Sequence, residues 1–188
     1  DILALLELMR QYLPKKLHRY LHLGATSYDI INTAYALVLK QAFKAAFWPK
    51  LQVVDALWRE KIREHAEVVQ AGRTHLQTAL PVTVGFWLAV LHHQFVECAY
   101  QASSLANDVP GKFTGAVGTS AALIALLGDK KTDGAQRNLM FALDLERRSQ
   151  YTTQITPPQA AARFYFELVL LSGVQGNLGE DARILQSS

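Results

Sequence analysis

Thr26-Ser27-Tyr28-Asp29-Ile30-Ile31-Asn32-Thr33-Ala34-Tyr35-Ala36-Leu37-Val38-Leu39-Lys40 opens the segment that decides the fold. Thr26 followed by Asp29 three residues on has the form of a capping box. The helical pattern that starts at about Tyr28 runs on to about Val69. Pro49 interrupts it, and a proline inside a helix removes a hydrogen bond and crowds the preceding turn, so a kink or split is expected there. Roughly 40 residues at about 1.5 Å rise would extend about 60 Å. A compact ball of this chain length has a radius of gyration of only about 16 Å. A helix of that length cannot bury itself in its own domain. It needs partner helices, most simply from other subunits.

Working outward, a first helix is expected from about Asp1 to Leu13, stopped by Pro14. A loop then leads to Leu21-His22-Leu23-Gly24-Ala25. On the other side, Gln70 to Leu80 reads as a loop, with Pro81 as an early residue of a helix running to about Asn107. That helix is apolar over much of its surface, which argues for burial on more than one side. A glycine-bearing loop covers Asp108 to about Ser120. Short helices follow near Ala121–Leu127 and Ala135–Leu143. The polar stretch Glu146 to Pro158 ends in Thr156-Pro157-Pro158-Gln159, with Thr156 as N-cap and Pro157 at the first helical position of a helix to about Gln186. No segment shows strand alternation and no repeat is present. The fold class is all-α, a long-helix bundle over residues 1–188 as one helical domain.

The chain has 188 residues, half of them hydrophobic, and a net charge of +3. That suffices for a real core. Acidic and basic residues are interspersed, and no Lys/Arg block tracks a phosphate backbone, so nucleic acid is not an expected partner. A small anionic substrate is compatible with this balance. The single cysteine, Cys98, cannot form an internal disulfide, and a cysteine metal site is excluded; a small buried or half-buried thiol is expected. No signal peptide is present and no apolar run reaches the ~18 residues that span a membrane, so a cytoplasmic protein without a membrane partner is expected.

Several polar clusters bear on chemistry. His75, in Gly72-Arg73-Thr74-His75-Leu76-Gln77, can both take and give a proton near neutral pH; taken alone, a loop histidine is more often structural or solvated. Thr26 and Ser27 precede a helix N-terminus, which suits a carboxylate or phosphate oxygen, and they also simply cap the helix. His22 precedes the same turn. His18 and His22 are spaced like a helical metal pair but lack a third ligand. His92 and His93 are adjacent in a helix and face different directions. Gly111-Lys112-Phe113-Thr114-Gly115-Ala116-Val117-Gly118-Thr119 is not a Walker loop, since Ala106 stands where glycine is required. Its backbone N–H groups and one lysine still suit an anion. In Thr152-Thr153-Gln154, the Gln154 amide can donate and accept hydrogen bonds.

The order of these segments resembles the fumarase/aspartase superfamily. His22 to Asp29 is similar to its first shared segment. Gly72 to Gln77, followed by Pro81-Val82-Thr83-Val84-Gly85, is similar to its second. The glycine loop and Thr153-Gln154-Ile155 are most similar to the adenylosuccinate lyases within it. The resemblance implies an all-α homotetramer with a shared central bundle and active sites drawn from three subunits. It implies anti β-elimination of fumarate from a succinyl adduct, on a polycarboxylate or succinyl-nucleotide substrate, with no metal or organic cofactor. By that resemblance His75 is the acid, or orients the leaving group. Thr26 and Ser27 hold the succinyl carboxylate with Thr74 beside them, Gln154 contacts substrate, and His22 lies next to the site.

There are departures. The superfamily's base is a serine on a flexible loop that would follow Ser188. Its Arg-His-Asp segment should lie just before the first helix, with only Asp1 in this chain. Pro157-Pro158 stands where many adenylosuccinate lyases have Arg-Asp. A sister lyase or a carboxymuconate cycloisomerase is therefore an alternative, as is a helical assembly module without catalysis. The chain opens without Met and closes at Gln186-Ser187-Ser188, so it reads as the central part of a longer lyase, inactive alone.

Overall fold

Residues 27–64 are helical without a break in the computed structural model, which describes residues 2–186. α1 (Ile2–Tyr12) precedes a 3-10 turn (Lys15–Tyr20), α2 (Ser27–Ala42), one π-helical turn (Phe43–Phe47) and α3 (Trp48–Glu64). Strands β1 (Val69–Thr74) and β2 (Gln77–Thr83) come next. The remaining elements are α4 (Val84–Asp108), α5 (Ala121–Leu127), α6 (Asp129–Ala142) and α7 (Gln159–Gln186). The expected start at Asp1 and the Ser187-Ser188 end lie outside the described residues.

Pro49 neither ends nor splits the long helix. It sits at the first positions of α3, and the turn before it widens so that the Trp48 N–H reaches the Phe43 carbonyl, five residues back. The wider turn makes room for a ring that cannot continue an ordinary helical ladder. The helix ends at Glu64, five residues short of the expected Val69.

The expected loop at Gln70 to Leu80 is instead an antiparallel hairpin, pairing Val69 with Thr83, Ala71 with Pro81 and Thr74 with Gln77. Its register shifts between Ala71 and Arg73. Gly72 sits at that bulge, where a Cβ would stand 2.5 Å from the Leu80 carbonyl oxygen. Only glycine allows the strands to approach so closely. Both strands are largely exposed, so no buried face imposes an alternating pattern on the sequence. Pro81 consequently lies in β2 rather than in a helix. The cap of α4 is Thr83, whose Oγ1 accepts the Phe86 N–H at 3.1 Å. α6 starts at Asp129, ahead of the expected Ala135, and α7 starts at Gln159, after both prolines.

The chain divides into two compact units: residues up to 40 with 107–160, and 41–106 with residues from 161 onward. The first unit buries Ala36, Val109, Met140 and Leu145, flanked by Leu37, Phe113 and Leu139. The second buries Trp58, Leu88, Leu91, Phe95, Ala99, Leu171 and Val174. Leu88, Leu91, Phe95, Ala99, Ala102 and Ala106 recur at three- and four-residue spacing, one continuous stripe on α4. In the same unit His92 Nε2 lies 2.6 Å from Asp55 Oδ1, joining α4 to α3. No helix among the described residues is long and apolar enough to cross a membrane.

Candidate functional site

In the first unit, two segments far apart in sequence meet around one carboxylate. Asp29 lies in the first turn of α2 with a fully buried side chain. Its Oδ2 accepts the Thr26 N–H at 2.8 Å, the half of the capping box in which the acid reaches back to the cap. Its Oδ1 accepts the Thr114 N–H at 3.0 Å, and the Gly115 N–H lies 3.1 Å from Oδ2. Lys112 Nζ, also fully buried, donates to Oδ1 at 2.5 Å and to the Gly115 carbonyl at 2.9 Å. The anion that the glycine loop grips is therefore the protein's own Asp29. The Lys112 backbone is fixed as well: its N–H donates to Thr33 Oγ1 at 2.9 Å, and Thr33 Oγ1 donates to its carbonyl at 2.9 Å. Asp29 and Thr33, four apart, present both anchors on one face of α2.

The same loop reaches the Thr152-Thr153-Gln154 segment. Thr114 and Thr152 hydroxyls lie 2.8 Å apart. Gly118 has φ +81°, and a Cβ there would stand 2.0 Å from the Thr152 carbonyl oxygen. Only glycine tolerates both demands. Gln136 Nε2 on α6 holds the Phe113 carbonyl at 2.7 Å and Ser120 Oγ at 2.8 Å. The Thr156 N–H donates to Asn32 Oδ1 on α2 at 3.3 Å.

Around this cluster stand the residues that the sequence singles out. Thr26 is half-buried and Ser27 exposed at the start of α2. His22 has φ 61°, and its Nδ1 is the one buried side-chain polar atom without a partner among the described residues. It lines a 360 Å³ cavity with Ile30, Ala34, Leu37 and Phe113, which the fully buried side chains of Asp29 and Lys112 underlie. Gln154 is exposed, two residues beyond Thr152. A wider cleft of 1150 Å³ lies over Arg137, Phe141, Arg147, Arg148 and Tyr151, and none of these candidates lines it. Its guanidinium groups are taken: Arg137 and Arg148 pair with Asp133, and Arg147 with Asp108 at 3.4 Å.

Thr74 and His75 belong to the second unit, at the tip of the β1–β2 hairpin. His75 (φ 51°) and Leu76 (φ 62°) form its two-residue turn, and the Arg73 guanidinium donates to the Leu76 carbonyl at 3.2 Å. Positive φ at both central positions is the primed hairpin geometry that asparagine and glycine usually occupy. A histidine and a leucine there are uncommon, because a Cβ disfavours positive φ. The ring is exposed. Among the described residues no group of three His, Cys, Asp or Glu side chains is placed to hold a metal ion.

Sequence reading missed the roles of Asp29 and Lys112. Asp29 read as half of a cap and Lys112 as a lysine in a loop. The Asp29/Thr33 spacing on α2 and the Gly-Lys-x-Thr-Gly string are the only local signals, and nothing in the sequence joins them.

This constellation sits in a chain that belongs to the lyase family of the fumarase/aspartase superfamily: the family model described as Lyase matches residues 1–188. The chain is 33% identical over 169 residues to the adenylosuccinate lyase of Pyrococcus abyssi, covering 89% of this chain and 36% of that protein. It is similar to the fumarate lyase structure from Mesorhizobium sp. BNC1, at TM-score 0.83 and 32% identity, covering 99% of this chain and 42% of that one. It is also similar to the 3-carboxy-cis,cis-muconate lactonizing enzyme from Pseudomonas putida, at TM-score 0.78 and 28% identity, covering 96% and 39%. The chain thus spans well under half the length of these relatives. The relatives are enzymes, and the fold they share with this chain is the helical one expected from its sequence.

Proposed function

We propose that this chain carries part of the active site of a lyase that eliminates fumarate from a succinyl adduct, adenylosuccinate first among them. The observation that carries the proposal is that Asp29 ties the Thr26 turn to the glycine loop at 112–115, and that this loop in turn meets Thr152, in a chain of this family. Thr26 and Ser27, at a helix end whose first N–H groups lack helical acceptors, receive the succinyl carboxylate. Gln154 contacts the substrate, and His22 lines the cavity beside the turn. His75, with Thr74 next to it, supplies the acid.

The reaction is a β-elimination. A base takes the proton beside a carboxylate, and the electron pair passes into that carboxylate and then into the new C=C bond. The C–N bond breaks, and His75 protonates the departing nitrogen. The base is proposed to be a serine supplied by another part of the full-length protein. Exposed apolar residues along the long helices, Val38, Val53, Phe86 and Val169 among them, support assembly into a homotetramer through a common bundle.

Pro157-Pro158, in place of the Arg-Asp expected of many adenylosuccinate lyases, favours a second reading: a sister enzyme acting on a smaller polycarboxylate, as the muconate lactonizing enzyme of Pseudomonas putida does. The test follows the full-length protein by ultraviolet absorbance, reading fumarate formed from adenylosuccinate or a succinyl-amino acid, and loss of the conjugated diene of carboxymuconate, whose ring closure releases no fumarate. Preferred turnover of adenylosuccinate supports the first reading. Turnover of carboxymuconate alone replaces it with the second, and no turnover of any of them removes both.

A further inference from the structure

We infer that Asp29 and Lys112 are positioning residues for the carboxylate-binding turn at Thr26-Ser27, an inference that rests on the reading of that turn given above. Neither side chain has exposed surface, so neither meets the substrate directly. What they fix is the relation between two backbones. Asp29 takes one N–H from the turn, at Thr26, and two from the glycine loop, at Thr114 and Gly115. Lys112 closes the arrangement through its side chain on Asp29 and its backbone on Thr33.

The lysine has a second consequence. A bare carboxylate three residues into α2 would stand at the same helix end that is to receive the substrate's carboxylate, and would repel it. The Lys112 ammonium cancels that charge at 2.5 Å while remaining sealed from solvent. The turn is thereby left with the partial positive charge of the α2 N-terminus. The pair sets where the anion-binding N–H groups stand and keeps the field around them favourable.

The test uses the full-length protein, with fumarate as a calorimetric ligand and fumarate release as the kinetic readout. In Asp29→Asn the side-chain NH2 replaces one accepting oxygen, so fumarate binding weakens and KM rises about tenfold or more while kcat stays within about threefold. Lys112→Met, which leaves the carboxylate bare, binds more weakly than Asp29→Asn/Lys112→Met, in which both charges are gone. A folded Asp29→Asn with wild-type fumarate affinity and KM overturns the inference. So does a wild-type protein that binds no fumarate.

Hydrogen exchange on the wild type supplies a check that needs no variant. Fumarate should slow exchange at the Thr26, Thr114 and Gly115 N–H groups together, because one carboxylate holds all three. Protection confined to Ser27 overturns the inference even where the variants do not fold. Fumarate binding without turnover of any substrate leaves it standing and removes the lyase reading instead.

Discussion

Asp29 Oδ1 and Lys112 Nζ are 2.5 Å apart, with neither side chain exposed, and they join the start of α2 to the loop after α4. A buried ion pair is costly to form but far costlier to halve. Lys112→Met should therefore destabilise the protein by about 3–5 kcal/mol, read from the shift of the urea midpoint. Asp29→Asn/Lys112→Met should lose markedly less than the sum of the single variants. An additive double variant would mean that the two charges do not compensate each other.

Gly118→Ala tests the glycine-loop contact. A methyl group there meets the Thr152 carbonyl at a positive φ. Strain of about 1–3 kcal/mol is expected from the backbone conformation alone, with the clash added to it. The melting temperature should fall, and KM should rise because the segment leading to Gln154 must move. Unchanged stability would show that the 152–154 segment does not rest on Gly118.

Phe95 is 2% exposed at the centre of the α4 stripe, against α3 and α7 residues. Phe95→Ala should cost about 3–5 kcal/mol of folding stability by denaturant titration. A cost below about 1 kcal/mol would mean that the second unit does not depend on this core.

The α3–α4 clamp predicts a pH effect of definite sign. Burial alone would raise the Asp55 pKa, but hydrogen bonds from His92 and Arg59 and their charges outweigh it and lower the value. A carboxyl whose pKa is lower in the folded state stabilises the protein above its unfolded pKa of about 4, and that contribution is lost as pH falls through the folded value. Asp55→Asn should flatten this acid limb in a plot of unfolding midpoint against pH. A limb of unchanged slope would assign the acid sensitivity to other groups.

How much of this was legible beforehand differs by element. The helices at 27–64 and 84–108 follow from apolar spacing, which survives in the sequence because burial imposes it, whereas the helix at 159–186 is announced by the Thr156-Pro157 start ahead of it. The hairpin at 69–83 left no such trace. Its faces are mostly exposed, and its turn uses His75 and Leu76 where asparagine and glycine would have announced it. Thr26, Ser27, His22 and Gln154 stand out in the sequence as members of an ordered pattern. Asp29 and Lys112 lie 83 residues apart and meet only in the folded chain. The positive φ shared by His22 and His75 is likewise a property of the backbone that no residue type reveals.

Fumarate release by the full-length protein, with and without His75, tests the account most directly. The wild type should release fumarate from a succinyl-nucleotide, and a folded His75→Ala protein should lose about 10²–10⁴-fold in kcat, the range expected for removing a general acid. Wild-type turnover in folded His75→Ala would contradict the account, because the hairpin turn would then hold its histidine for a reason other than proton transfer.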